Sequence, residues 1–230
     1  MRLADERTEK TDAVSDADIA RAHAVYTPSM LSIYDLLVHG LSNHIAWRCP
    51  TRRLLDLYRA NLSSNHLEAG VGTGFFLDRA GKRSFERLVL LDINRNCLDR
   101  AARRLARFSP VLRQANLLAP IEPRLQAFDS VGLTYVLHCL PGRLSEKLAC
   151  LDHLRPAMGQ RAVLFGATIL GRGIAPNGAA RALLDLYNSK GVFSNREDDF
   201  ETLSDELRRR FAKVEIERQG CVALFRAVRP

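Results

Sequence analysis

The stretch LEAGVGTGFFLD, residues 67–78, constrains the fold more than any other part of the chain. A short apolar segment runs into three glycines, Gly70, Gly72 and Gly74, and a helical composition follows them. Glycine is unfavourable inside a strand or a helix, so this junction indicates a backbone that must turn sharply or stay bare. Two interpretations remain open: a tight strand-to-helix turn, or a ligand that lies on that turn.

Strand and helix patterns alternate along the chain after residue 60. The predicted strands cover residues 65–70, 87–93, 110–116, part of 127–140, and 161–170. The predicted helices between them cover residues 74–82, 94–108 and 145–158, and the last of these ends near Gly159. Because such alternation produces parallel crossovers, we predict an α/β, doubly wound Rossmann-like sheet with helices on both faces.

The last part of the chain departs from this alternation. Helical patterns at 179–190 and 198–211 are followed by strand patterns at 212–219 and 221–229, with almost no residues between the two strands. Strands this close in sequence pair antiparallel, as a hairpin. We therefore predict about seven strands in total, mostly parallel, with a C-terminal antiparallel hairpin.

The N-terminal segment carries helical patterns and several aromatic residues, but no strand pattern. We predict two units: a helical cap or lid over residues 1–60 and a ligand-binding Rossmann-like domain over residues 61–230. The charged start has no apolar signal core, and no apolar run reaches the length of a membrane span. The five cysteines form no paired spacing. These features predict a cytoplasmic protein without a membrane partner.

The formal net charge of +8 raises the question of nucleic-acid binding. Much of the excess comes from arginines on predicted helices, and no dense basic run alternates with aromatic residues. Solvated helix faces explain these charges at least as well as a phosphate-binding surface does. We therefore predict no nucleic-acid partner.

The glycine turn and a second acid indicate the class of ligand. Ligands of open parallel sheets bind beyond the carboxyl ends of the strands, where the strand order reverses. The spacing G-x-G-x-G is shorter than the dinucleotide fingerprint, whose longer turn places a pyrophosphate on a helix N-terminus. Asp92 ends the second predicted strand, where a carboxylate binds both ribose hydroxyls or caps the next helix. Together, the glycines and Asp92 favour an adenosine ligand without a pyrophosphate.

Several motifs of the chain together resemble those of a known protein family. The motif LEAGVGTG, Asp92, the segment QANLL, the segment FDSVGLTYVLHCLPG and the terminal strand pair resemble the class I S-adenosylmethionine-dependent methyltransferases, over roughly residues 60–228. The resemblance implies S-adenosylmethionine as cofactor and methyl transfer to nitrogen or oxygen of a small molecule. Enzymes that methylate base amines usually carry an Asn or Asp with two prolines after the fourth strand, and this chain has LTYVLHCLPG there.

The same resemblance implies nine cofactor-binding positions. They are Glu68, Gly70, Gly72 and Gly74 in the first motif, Asp92 and Ile93 after the second strand, Asn116 and Leu117 after the third, and Tyr135 after the fourth. Glu68 and Tyr135 would face the methionine end, and Asp92 would hold the ribose. Asn116 would face the adenine amino group between Ile93 and Leu117. Ordinary packing is the alternative for Asn116 and Tyr135.

Two residues are candidates for catalysis. His138 follows the fourth strand, and the pKa of histidine suits a general base near neutral pH; a structural role is the alternative. The rings of Tyr26, Tyr34 and Trp47 could attract the cationic sulfonium, and Tyr34 is the second catalytic candidate; packing in the cap is the alternative. A metal-dependent mechanism needs clustered carboxylates after the fourth and fifth strands, and Asp129 precedes its strand. We therefore predict no metal site.

Four residues are candidates for substrate binding. Tyr26 and Trp47 would line a pocket beneath the cap, and Asn43, four residues before Trp47, would supply a polar contact. Tyr187 would build the pocket if the cap does not. Core packing is the alternative for the aromatic residues of the cap.

Two further functions remain open from sequence alone. The cofactor could itself be the substrate, and its cyclisation would release methylthioadenosine and a small cyclic amino acid of the azetidine-2-carboxylate type. The chain could also bind S-adenosylmethionine without catalysis. In either case we expect a monomer or a homodimer.

Overall fold

The computed structural model describes residues 42–121 and 127–230, and one seven-stranded sheet organises this part of the chain. The strands are β1 Asn65–Ala69, β2 Arg87–Asp92, β3 Val111–Gln114, β4 Phe128–Thr134, β5 Met158–Ile169, β6 Lys213–Gln219 and β7 Val222–Val228. Their order across the sheet is β3-β2-β1-β4-β5-β7-β6. The first five strands are parallel, and β7 pairs antiparallel with both β5 and β6.

Helices cover both faces of the sheet. They are α1 Asn43–Ile45, α2 Thr51–Asn61, α3 Phe75–Arg79, α4 Arg95–Arg104, α5 Leu144–Lys147, α6 Ala149–Leu154, α7 Gly178–Ser189 and α8 Phe200–Arg210. One hydrophobic cluster joins α2, α4 and α7 to the sheet, and a second joins α5, α6 and α8 to the opposite face. None of these helices is long and apolar enough to cross a membrane.

The predicted fold class is confirmed. The strand order reverses between β1 and β4, which run parallel with Glu68 opposite Gly132, so a crevice opens at their carboxyl ends. The predicted hairpin is also present: Gly220 and Cys221 connect β6 to β7. The sheet therefore presents a ligand-binding edge where the glycine motif lies.

One predicted boundary is wrong. The helix expected over 145–158 is divided into α5, α6 and a 3-10 turn at Arg155–Ala157, and Gly159 lies inside β5. Pro156 falls in that 3-10 turn, and it cannot donate the backbone hydrogen bond that would continue α6. The chain consequently enters β5 at Met158, earlier than the sequence pattern indicates.

The segment that precedes β1 belongs to the core of the sheet. Trp47 is 1% exposed, and its carbonyl oxygen accepts a hydrogen bond from the backbone N–H of Cys221 at 2.9 Å. Leu54 and Tyr58 of α2 join the same cluster as β5. The predicted cap over residues 1–60 therefore shares its last part, from residue 42, with the sheet. Residues 1–41 lie outside the described residues, and for them the cap stays a prediction.

The contact between this segment and the β6–β7 turn can be tested with two glycines. Gly220 and Gly191 both have positive φ, but a Cβ at Gly220 would collide with the carbonyl oxygen of Trp47, whereas a Cβ at Gly191 meets nothing within 4 Å. We expect Gly191→Ala to lower the free energy of unfolding by about 1 kcal/mol, the cost of a left-handed backbone. Gly220→Ala should lower it by about 1–3 kcal/mol more.

The measurement is urea denaturation followed by fluorescence of Trp47, which is the single tryptophan of the chain. Equal destabilisation by Gly220→Ala and Gly191→Ala would show that the segment around Trp47 does not pack on the hairpin turn.

Candidate active site

The turn between β1 and α3 requires glycine at three positions for different reasons. Gly70, Gly72 and Gly74 all have positive φ, at 73°, 54° and 74°. A Cβ at Gly70 would collide with Val136, and a Cβ at Gly74 would lie 3.3 Å from that of Ala101 in α4. A Cβ at Gly72 would meet nothing within 4 Å. The backbone of Gly72 is therefore the part of the turn that a ligand can approach.

Asp92 fixes this turn from the end of β2. One of its carboxylate oxygens accepts the N–H of Gly72 at 3.0 Å, and the other accepts the N–H of Asn94 at 2.9 Å. Burial raises the pKa of Asp92, and these backbone N–H groups oppose the rise. The helix-cap alternative for Asp92 is wrong, because Asn94 is the N-cap of α4 and accepts the N–H of Asn96. Each oxygen of Asp92 keeps a lone pair for a ligand hydroxyl.

A buried carboxylate forms the floor of the crevice. Glu68 Oε1 accepts a hydrogen bond from the hydroxyl of Tyr58 at 2.5 Å, and Glu68 Oε2 lies 2.8 Å from His66 Nε2. Burial, and next the charge of Glu68, raise the pKa of Tyr58 well above its usual range, so Tyr58 remains a donor. A Cβ at residue 132 would collide with Glu68 Oε2, so Gly132 of β4 leaves room for the carboxylate.

Tyr135 follows β4 at the side of the crevice, and its backbone conformation is unusual. Its φ is 60°, which side-chain-bearing residues adopt at a cost of about 1–3 kcal/mol. Its N–H donates to the carbonyl oxygen of Ala167 at 2.7 Å, and its hydroxyl donates to Asn43 Oδ1 at 2.9 Å. Its ring lies edge-on to that of Phe76, with centroids 6.2 Å apart. These contacts hold the strained residue against the crevice.

One cavity brings together all nine positions that the resemblance implies. They are Glu68, Gly70, Gly72, Gly74, Asp92, Ile93, Asn116, Leu117 and Tyr135. Asn116 Oδ1 also accepts the N–H of Leu118 at 2.9 Å, which shapes the loop after β3. Sequence reasoning missed Tyr58, Phe76 and Thr134, which line the same cavity. The spacing of Leu54 and Tyr58 predicts a shared buried helix face, but it does not indicate which cavity that face borders.

His138 does not line this cavity. It is buried, and its ring lies 4.4 Å from that of Phe193. Its Nδ1 accepts the backbone N–H of Ile169 at 3.3 Å. Burial, and next the charge of Lys147, lower the pKa of His138 to about 3. The ring is engaged inside the core and accepts a proton poorly, and the role of general base stays a prediction.

Three other candidates also lie away from the cavity wall. Asn43 is fully buried, and its Nδ2 donates to Thr51 Oγ1 at 3.0 Å while its Oδ1 accepts from Tyr135. Trp47 is buried as well, so both side chains lie in the core, and the substrate contacts predicted for them stay predictions. Tyr187 is half-buried and packs on Phe193 with ring centroids 4.8 Å apart.

Tyr26 and Tyr34 lie outside the described residues, so their predicted contacts with the substrate and the sulfonium stay predictions.

The donors and surfaces of the cavity suit an adenosine ligand that carries an amino-acid tail. Asp92 offers acceptors for ribose hydroxyls, and Ile93 and Leu117 offer apolar surface for a base. The carboxylate of Glu68 offers acceptor oxygens for an ammonium group. The open backbone at Gly72 admits the chain that joins the two ends. The residues present therefore fit S-adenosylmethionine.

Comparisons with known proteins agree with this fit. A family profile described as a methyltransferase domain matches residues 67–164. Demethylluteothin O-methyltransferase of Streptomyces thioluteus is 37% identical over 218 residues, which cover 94% of this chain and 95% of that protein. The physcion biosynthesis cluster O-methyltransferase of Aspergillus chevalieri is 35% identical over 212 residues, which cover 91% and 96% of the two chains.

A solved structure supports the fold. The N-methyltransferase NodS of Bradyrhizobium japonicum WM9, in complex with S-adenosyl-L-homocysteine, superposes with a TM-score of 0.58 at 19% identity. The match covers 78% of this chain and 87% of that one.

These findings do not favour cyclisation of the cofactor or binding without catalysis, since the relatives are named as methyltransferases. Relatives above 30% identity align along nearly the whole chain, and the cavity at the reversal of strand order fits the cofactor. The chain belongs to the class I S-adenosylmethionine-dependent methyltransferases, and S-adenosylmethionine is its cofactor.

Proposed function

We propose that the protein transfers a methyl group to an acidic hydroxyl, a phenol or an enol, of a largely apolar small molecule. The composition of the cavity carries this proposal. Beyond the cofactor positions, its wall includes a group of apolar side chains, Phe75, Phe76, Val136, Leu140 and Pro141, beside polar ones such as Thr73 and Thr134. Relatives named as O-methyltransferases support oxygen as the acceptor atom.

The ionisable groups of the wall support an acidic acceptor. In the described part of the cavity no histidine or lysine lines the wall, and the carboxylates of Glu68 and Asp92 already accept internal hydrogen bonds. A wall without a free base suits a hydroxyl that ionises readily, as a phenol does at a pKa of about 10, better than an aliphatic alcohol. Placement and exclusion of water would then supply much of the rate.

Different residues of the chain bind different parts of the cofactor. Glu68 binds the ammonium of the methionine end, and Asp92 accepts from the ribose hydroxyls. Asn116 faces the adenine amino group. The bound cofactor supplies an electrophilic methyl group on a cationic sulfonium. The rings of Phe76 and Tyr135 exclude water from this end of the cavity and present aromatic surface to the positive charge.

Several properties stay predictions. They are the lid in residues 1–41, the cytoplasmic location, the monomeric or homodimeric state and the absence of a nucleic-acid partner.

The acceptor class can be tested with matched compounds. We expect purified protein with S-adenosylmethionine to form S-adenosylhomocysteine with a polycyclic phenol, but not with its methyl ether or with an aliphatic alcohol of similar size. The nucleoside product is identified by mass spectrometry. Methylthioadenosine formed without an acceptor would indicate cyclisation instead. If the aliphatic alcohol is methylated at the same rate as the phenol, the proposal that the acceptor hydroxyl is acidic is wrong.

The role of Asp92 can be tested by a change of one atom. Asp92→Asn should weaken binding of S-adenosylhomocysteine about tenfold or more, because hydrogen bonds to a charged acceptor contribute about 1.5–3 kcal/mol. Calorimetric titration gives the affinity. Asp99→Asn is the control, because Asp99 lies on α4 in an exposed pair with Arg95. Equal affinities of the two variants would exclude Asp92 from ribose binding.

The buried position of His138 gives a further prediction. Loss of a general base typically lowers kcat by roughly 10²–10⁴-fold. Because His138 lies in the core, we expect His138→Gln to lower thermal stability while kcat of the folded enzyme falls less than tenfold. Thr168→Val, which alters a neighbour 3.3 Å from His138 Nδ1, is the matched control for core disturbance. If His138→Gln lowers kcat more than 10²-fold and Thr168→Val does not, His138 acts as a general base.

A further inference from the structure

His66 and Glu68 lie on one face of β1 and point toward the same neighbours on β4. The parallel register places His66 opposite Ser130 and Glu68 opposite Gly132. Because side chains alternate along a strand, residues two apart share a face. Four positions on two adjacent strands therefore form a single buried patch beneath the cavity.

Both ring nitrogens of His66 are engaged. The side chain is 0% exposed, and its ring lies near those of Phe85 and Phe165, at centroid distances of 6.4 Å and 5.8 Å. Its Nε2 lies 2.8 Å from Glu68 Oε2, and its Nδ1 lies 2.8 Å from Ser130 Oγ. A carboxylate oxygen accepts, so Nε2 is the donor toward Glu68, and Nδ1 is hydrogen-bonded to the hydroxyl group of Ser130.

This chain of polar groups continues to the backbone. The N–H of Ser63 donates to Ser130 Oγ at 3.0 Å, and the two serine hydroxyl oxygens are 2.7 Å apart. Ser63 Oγ also donates to the carbonyl oxygen of Asn65 at 2.8 Å. The hydrogen-bonded chain therefore runs from Glu68 to the loop between α2 and β1, and Tyr58 of α2 holds the other oxygen of Glu68.

Two side chains hold the carboxylate of Glu68 in place. Among the described residues, the groups that reach it are a phenol and an imidazole, and no lysine or arginine pairs with it. These donors fix the orientation of the carboxylate in the way that outer hydrogen bonds orient ligands of a metal.

We propose that His66 is a positioning residue for the cofactor, which holds Glu68 so that its remaining lone pairs face the ammonium group. The inference rests on the proposed function, in which Glu68 binds that ammonium. Without His66 the carboxylate can turn about its side-chain bonds, and the ammonium would lose a prearranged partner.

Two ligands separate positioning from structural damage. S-adenosylhomocysteine carries the amino-acid tail, and methylthioadenosine carries the same nucleoside and sulfur without it. We expect His66→Leu to weaken S-adenosylhomocysteine about tenfold and methylthioadenosine less than twofold, by calorimetry. His66→Gln, whose amide can donate to Glu68, should recover most of the loss, and Ser130→Ala should show a smaller loss confined to S-adenosylhomocysteine.

A double-mutant cycle completes the test. If His66 acts through Glu68, His66→Leu should add almost nothing in a Glu68→Gln background. Equal weakening of both ligands, or full additivity with Glu68→Gln, would overturn the positioning role. Should His66→Leu not fold, His66→Gln and Ser130→Ala decide by the same ligand comparison. If the unaltered protein binds both ligands equally, the role of Glu68 in the proposed function fails first.

Discussion

The carboxylate of Asp92 connects the end of β2 to the glycine turn that follows β1, and the active site depends on this connection. The parallel register places Ala69 opposite Leu91, so the two strands end side by side. The carbonyl oxygen of Leu91 accepts the N–H of Gly70 at 2.7 Å, and Asp92 accepts that of Gly72. A tight turn leaves backbone donors without partners, and β2 supplies acceptors for them. The turn is therefore held by hydrogen bonds within the protein itself.

Two buried carboxylates of the protein have partners of different kinds. Glu68, at the floor of the cavity, accepts from the hydroxyl of Tyr58 and lies 2.8 Å from His66 Nε2. Asp198 has Lys147 as partner, with Nζ at 2.9 Å and 2.8 Å from its two oxygens. Lys147 also donates to the carbonyl oxygen of Ser194, so this pair fastens the segment before α8 to α5. Buried charges need partners, and the partner of Asp198 is a lysine, whereas those of Glu68 are a phenol and an imidazole.

The direction of the His138 side chain follows from the backbone conformation of Tyr135. Tyr135 adopts a left-handed backbone directly after β4, and a 3-10 turn at Leu137–Cys139 follows. The chain consequently turns Tyr135 toward the cavity and His138 toward Ile169 and Phe193. A sequence shows that a histidine follows a strand, but the direction of its side chain depends on these dihedral angles. The strand could therefore be placed from the sequence, but the direction of the His138 side chain could not.

The sequence by itself determined the elements whose causes are local. Alternating patterns predicted the parallel sheet, the closely spaced terminal strands predicted the hairpin, and the glycines with Asp92 indicated the turn that lines the cavity. The tertiary structure alone decided which side chains surround that cavity. His66 meets Ser130, and Asn43 meets Tyr135, across separations of 64 and 92 residues. Such contacts depend on the register of β1 against β4 and on the packing of the segment before α2. Neither is encoded in a local pattern, because register and packing are set by the whole core at once.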